Sequence, residues 1–166
     1  MIYIEEIKEK KSQKELSVIG KKLLLKGLQT EYRFQDLPEI QLGEFGKPFF
    51  QNFPEIHFNI SHCDKAVACI ISDKPVGIDV EEIKPFDRDL AEYVCSPREL
   101  ESILNSLNPS LAFTILWTKK ESICKLSGQG LNTSKEIQTI LDINFTQFTS
   151  IISESAGFVL SYCYNP

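Results

Sequence analysis

Two short segments hold the residue types best suited to chemistry. Gly77-Ile78-Asp79-Val80-Glu81 offers two carboxylates at strand spacing, and Trp117-Thr118-Lys119-Lys120-Glu121-Ser122-Ile123-Cys124-Lys125 offers a carboxylate and a lysine at helix spacing. Residues i and i+2 of a strand share a face, so Asp79 and Glu81 project together while Ile78 and Val80 point into the core. On a helix, Glu121 and Lys125 are i,i+4 neighbours, with Trp117 one turn before them. Carboxylate oxygens suit a hard cation such as magnesium, a lysine suits phosphates, and a glutamate beside both can act as a general base. The chemistry implied is a magnesium-dependent reaction on a phosphate ester.

Two further pieces lie upstream. Phe58-Asn59-Ile60-Ser61-His62 alternates as a strand and ends in a hydroxyl and an imidazole, and Gly46-Lys47-Pro48 is a turn that fixes a lysine at a sheet edge. Lys119 and Lys120 point elsewhere around the helix, toward a phosphate or simply toward water. Each piece alone has a plainer reading. Paired strand carboxylates are usually solvated, an i,i+4 Glu–Lys pair is usually a surface ion pair, and a strand-end histidine is usually structural. The chain contains no phosphate loop, no zinc-ligand spacing and no Ser-His-Asp arrangement.

The elements that must position these residues are readable in outline. Met1–Ile7 alternates as a strand, and Ser12-Gln13-Lys14-Glu15 is a capping box opening a helix whose apolar positions Leu16, Ile19, Leu23 and Leu24 run up to Gly27. The region Glu39–Val80 reads as β, with strands near Ile56–Ser61, Ala66–Ser72 and Val76–Glu81 separated by Gly/Pro turns. After Pro85 the pattern becomes helical. Ser96-Pro97-Arg98-Glu99 starts one helix, Asn108-Pro109 breaks it, and a long helix from Pro109 to Ser127 stops at Gly128-Gln129-Gly130. The Ile-, Phe-, Thr- and Val-rich remainder predicts three strands: Glu136–Asp142, Phe145–Ser153 and Gly157–Tyr164. The fold class is α+β, and the element order allows an N-terminal half (1–80) and a C-terminal half (81–166).

Bulk properties narrow the function classes. The chain has 166 residues, 42% hydrophobic and 25% charged, with a net charge of -5. That charge argues against a nucleic-acid partner, which normally requires a basic face. The longest apolar run, Ala66–Ile71, is far too short to span a membrane. Five cysteines without CxxC spacing, in a chain with no apolar leader, read as reduced thiols in the cytoplasm.

The order and spacing of the four pieces say more than any piece alone. The series from Gly46 to Gly130 resembles the phosphopantetheinyl transferases of the larger, Sfp-like branch, and the W-[ST]-x-K-E-x-x-x-K block is its most specific part. Members of that family move the phosphopantetheine arm of coenzyme A onto a serine of an apo acyl or peptidyl carrier protein, releasing adenosine bisphosphate. The resemblance implies that Asp79, Glu81 and Glu121 hold magnesium. It implies that Lys47, Pro48, Ser61 and His62 contact coenzyme A, with His62 near the ribose 3′-phosphate, and that Lys120 and Lys125 hold the pyrophosphate. Glu121 and Lys125 are the implied catalytic pair. The implied fold is two similar halves, each a small antiparallel sheet packed with a long helix, with the active site in the cleft between them and the first half shortened because only residues 1–45 precede Gly46. A monomer with pseudo-twofold halves is expected, an oligomer being the alternative, and fatty-acid biosynthesis is one expected setting. The second reading, from a different class, is a protein that keeps the cleft for carrier-protein or nucleotide binding and has lost catalysis.

Overall fold

The computed structural model describes residues 1–128, 133–143 and 147–164. In chain order the elements are β1 (Ile2–Glu6), α1 (Gln13–Tyr32), β2 (Ile40–Leu42), β3 (Pro48–Phe50), β4 (His57–His62), β5 (Ala66–Ser72), β6 (Val76–Glu82), α2 (Arg88–Val94), α3 (Pro97–Leu104), α4 (Pro109–Ser127), α5 (Ser134–Ile143), β7 (Gln147–Ser153) and β8 (Phe158–Tyr164). They build two three-stranded antiparallel sheets, ordered β1-β5-β4 and β6-β8-β7, and a small β2-β3 hairpin. In both sheets the strand that comes third in the chain lies in the middle, and a long helix follows the first strand. The two halves therefore repeat one α+β plan that no sequence repeat announces.

Local signals set the helix ends. Ser12 and Ser96 each accept the N3 backbone N–H, of Glu15 and Glu99 respectively, while the glutamate returns a bond to the cap backbone. Asn108 caps α4, Pro109 occupies its first position, and Gly128 in the left-handed conformation is its C-cap. The other two residues of the expected stop, Gln129 and Gly130, lie outside the described residues.

Three expectations need correction. α1 does not end at Gly27 but runs to Tyr32, because Gly27 is a point of close packing: a Cβ there would overlap Ile71 and stand 2.7 Å from the Tyr3 ring. Glu136–Asp142 lies in helix α5 and not in a strand: Thr133 Oγ1 accepts the Glu136 N–H at 3.2 Å as a cap. The half boundary at residue 80 cuts β6, which pairs along its length with β8; by sheet membership the second half begins at the Asp73-Lys74-Pro75 turn.

The core has two main layers. Leu16, Leu24 and Leu28 of α1 pack on Phe58, Val67, Cys69 and Ile71 of the first sheet. The opposite face of β5 (Ala66, Ala68, Ile70) packs on Val76, Ile78, Val80 and Leu160 of the second sheet. β5 is thus covered on both faces, which explains its unbroken apolar run.

α4 lies on the other face of β6 and β8, and Gly77 permits that approach. A Cβ on Gly77 would overlap the Ser122 carbonyl oxygen and stand 2.5 Å from the Leu126 nitrogen, both backbone atoms that cannot rotate away. Gly77→Ala should therefore destabilise the fold by about 3 kcal/mol, the upper end of the usual overpacking cost. The loss would be read as a lower urea midpoint at unchanged m-value. An unchanged midpoint would show that α4 is not pinned against β6.

Candidate active site

Asp79 is the centre of the site. It sits mid-β6, only 2% exposed, on the face turned toward α4. Its Oδ1 accepts the Lys125 ammonium at 2.6 Å and the Ser61 hydroxyl at 2.9 Å. Lys125 Nζ also donates to Ser61 Oγ at 2.8 Å. Strand β4, strand β6 and helix α4 are thus knotted at one point. Among the described residues, Asp79 Oδ2 is the one buried side-chain N or O atom without a hydrogen-bond partner. Such an atom costs free energy unless something satisfies it, so it marks a place built to receive a donor or a cation.

The neighbouring carboxyls register the same charge. Burial, and then the charge of Asp79, push the Glu81 carboxyl above its usual range, with the Trp117 indole, Lys125 and Lys84 opposing the shift. Burial and Asp79 push Glu121 up likewise, against Lys125. Asp79 Oδ2, Glu81 and Glu121 are the oxygens available here to a hard cation. Among the described residues no three His, Cys, Asp or Glu side chains are gathered closely enough to hold a metal unaided. Magnesium does not require that, since it usually takes one or two carboxylates and completes its shell with water and substrate phosphates.

Like-charge strain of this kind has a measurable signature. Because native Glu81 holds its proton more tightly than the unfolded chain does, ionising it costs stability. That cost is absent below the ordinary carboxylate pKa and builds as pH rises through the elevated one. Glu81→Gln should melt at a higher temperature than the parent at neutral pH. The advantage should vanish toward acid pH. A pH-independent difference would show that Glu81 is not under charge strain.

The remaining residues divide clearly. Lys47 and Pro48 line a cleft of about 300 Å³ together with Asn59, Cys124, Lys125 and Gly128. Lys125 belongs both to this cleft and to the Asp79 cluster. Burial lowers the Lys47 pKa, and its amine donates to Leu126 O at 2.6 Å and reaches Val76 O at 3.5 Å. It thereby ties the hairpin to the C-terminal end of α4, where free carbonyls favour a cation. Ser61 touches Asp79 directly. His62 is not brought to that cluster: by strand alternation it shares its face with Phe58, which packs on α1, opposite to Asn59 and Ser61. Lys120 is not brought there either. Its amine is fully buried among α2, α3 and α5, 0% exposed, and bonds to Glu99 and backbone carbonyls. One residue is 100° of helix from the next, so Lys120 and Glu121 cannot share a direction.

Asn59 is a member that sequence reasoning did not single out. It is 4% exposed, and its Oδ1 accepts Ile78 N–H at 3.0 Å, as Ser61 Oγ accepts Val80 N–H at 3.2 Å. Two side chains of β4 thus satisfy the backbone of β6 across the junction of the halves. The available signal was its place at a buried-phase position of an alternating strand, where a polar residue must find a partner. Behind Asp79, its cross-strand neighbour Ser161 contacts Thr118 at 2.8 Å and Ser150 at 2.9 Å, linking α4 to strands β8 and β7 of the second sheet.

A family model for the 4'-phosphopantetheinyl transferase superfamily matches residues 75–163, from the turn that opens the second half to the end of β8. Relatives include the 4'-phosphopantetheinyl transferase Sfp of Bacillus subtilis (strain 168), 32% identical over 120 residues, covering 70% of this chain and 53% of the relative. A second 4'-phosphopantetheinyl transferase of Bacillus subtilis is 41% identical over 92 residues, covering 54% and 41%. The 4'-phosphopantetheinyl transferase gsp of Aneurinibacillus migulanus is 45% identical over 92 residues, covering 54% and 38%. The chain belongs to the 4'-phosphopantetheinyl transferase superfamily, in its Sfp-like branch. It spans about half the length of the curated relatives it matches.

Proposed function

We propose that the protein transfers the 4'-phosphopantetheine arm of coenzyme A to a serine of an apo acyl or peptidyl carrier protein, with magnesium as the metal. The carrying observation is the buried Asp79 carboxylate, with one oxygen held by Lys125 and Ser61 and the other unpartnered, flanked by Glu81 and Glu121. A binding module has no use for a buried carboxylate that repels two neighbouring carboxyls, whereas a phosphate-transfer site does.

In this reading the serine oxygen of the carrier protein forms a bond to the phosphorus that bears the pantetheine. The pyrophosphate P–O bond breaks, and 3',5'-adenosine bisphosphate leaves. Glu121 takes the serine proton; its raised pKa brings it nearer to neutral pH, where a general base works best. Lys125, with its side chain 29% exposed, keeps Asp79 oriented and presents positive charge to the pyrophosphate. Lys47 and Pro48 form the cleft wall for the nucleotide end. Asp79, Glu81 and Glu121 would hold magnesium, which supplies charge neutralisation on the pyrophosphate when bound.

The test is mass spectrometry of apo acyl and peptidyl carrier proteins incubated with the protein, coenzyme A and magnesium. A mass increase of one phosphopantetheine on the acceptor serine, lost on chelation, is the expected result. No modification across such a panel, with coenzyme A still bound, would favour the second reading of a catalytically weak or inactive carrier-protein or nucleotide-binding protein. Among the described residues no helix is long and apolar enough to cross a membrane.

A further inference from the structure

Lys120 is the most completely buried cation in the described structure, yet it adjoins the proposed general base in the chain. All three of its protons are committed: to Val94 O at 2.9 Å, Glu99 Oε2 at 2.7 Å and Ile137 O at 2.9 Å, with Gln138 O at 3.4 Å beyond them. Val94 is the last residue of α2, where carbonyls lack helical partners. Glu99 is the capping glutamate of α3, whose Oε2 also accepts Ser96 N–H at 2.7 Å. Ile137 belongs to α5. One ammonium thus fastens α2, α3 and α5 to α4. Gln138 reinforces the arrangement by donating from α5 to Glu92 O and Tyr93 O of α2.

A side chain bound in this way fixes more than the packing of the helices. Successive residues differ by 100° around the axis, so fixing the direction of Lys120 fixes that of Glu121, and with it Lys125 one turn later. The lock on the opposite side of α4 is Thr118 on Ser161. Between these two bonds the helix has no freedom to roll.

We infer that Lys120, with Glu99 as its counter-ion, is a positioning residue: it sets the roll of α4 that aims Glu121 and Lys125 at Asp79 and the cleft, and it touches no substrate. The inference rests on the transferase reading for its kinetic consequence, but its structural content is independent of that reading.

The experiment uses the full chain as Lys120→Met, Glu99→Gln and the double variant. Two readouts are taken: steady-state kinetics with an apo acyl carrier protein, coenzyme A and magnesium, and the emission of Trp117. That residue is the chain's single tryptophan, on α4 one turn before Lys120 and Glu121. Each variant should lower kcat about tenfold or more, the scale of a small misplacement of catalytic groups, while KM for coenzyme A rises by a smaller factor than kcat falls. The Trp117 emission maximum should shift in the same variants. The double variant should be no worse than Lys120→Met, because the two residues act through one bond. A raised KM for coenzyme A with native kcat would make Lys120 a phosphate contact and overturn the inference. Native kcat or native Trp117 emission in folded Lys120→Met would overturn it too. Should Lys120→Met fail to fold, Glu99→Gln decides by the same two readouts. If the parent protein modifies no carrier protein, the transferase reading fails, and Trp117 emission alone then decides whether Lys120 sets the roll of α4.

Discussion

Glu121→Gln should cut kcat at least about 100-fold, the lower range for loss of a general base, while changing KM for coenzyme A less than about threefold. Glutamine keeps the size and much of the hydrogen bonding of glutamate but cannot accept the serine proton, so the loss falls on the transition state alone. Lys125→Ala should behave differently. Its ammonium meets the pyrophosphate in the ground state as well and also holds Asp79 Oδ1 at 2.6 Å. Both kcat and coenzyme A affinity should therefore suffer. Steady-state kinetics with an apo carrier protein, beside calorimetric titration of coenzyme A, separates the two effects. The reverse pattern, with Glu121→Gln weakening binding only and Lys125→Ala changing neither, would reduce Lys125 to the structural partner of Asp79 and bring the binding-protein reading forward.

What the sequence disclosed follows the range of the forces involved. Ser12 with Glu15, Ser96 with Glu99, and Asn108 before Pro109 name their helix starts because a cap is completed within four residues. The strand spacing of Asp79 and Glu81 likewise needs nothing beyond β6 itself. Glu136–Asp142 was misassigned because its β-branched and apolar content outweighed two local helix signals: the Thr133-x-x-Glu136 cap and the three-residue spacing of Ile137 and Ile140. The half boundary at residue 80 failed for a longer-range reason. Nothing within β6 tells that its ladder partner lies some eighty residues on, in β8.

Lys120 shows the limit most clearly. The helical period separates it from Glu121, but only the packing of α2, α3 and α5 decides what lies in that direction. The motif resemblance assigned it to a phosphate, and the fold spends it on three helices. His62 and Ser61 diverge for a simpler reason, since adjacent strand residues face opposite ways. Asn59 and Ser61 also do work that no motif announces: they accept the Ile78 and Val80 N–H groups and so peg two sheets together.

Replacing Asp79 should have the largest single effect, and Asp79→Asn is the informative change. Asparagine preserves the shape and can still accept from Ser61, but it removes the charge that holds Lys125 and burdens Glu81 and Glu121. Turnover should fall by roughly 100-fold or more, since Asp79 would supply a buried, unpartnered oxygen to the metal that neutralises the pyrophosphate. Thermal stability should stay close to that of the parent, because relief of like-charge repulsion offsets the lost ion pair. A further consequence separates catalysis from structure. Asp79 is a cause of the raised Glu121 pKa, so without its charge Glu121 should ionise at lower pH, and the acid limb of the residual kcat/KM profile should move to lower pH. Raising the magnesium concentration should recover part of the activity if Asp79 is a metal ligand, whereas loss of a purely structural contact would not respond to the metal. Asp79→Asn with native turnover and an unmoved pH profile would make Asp79 no more than the anchor of Lys125. The unpartnered Oδ2 would then have no chemical role.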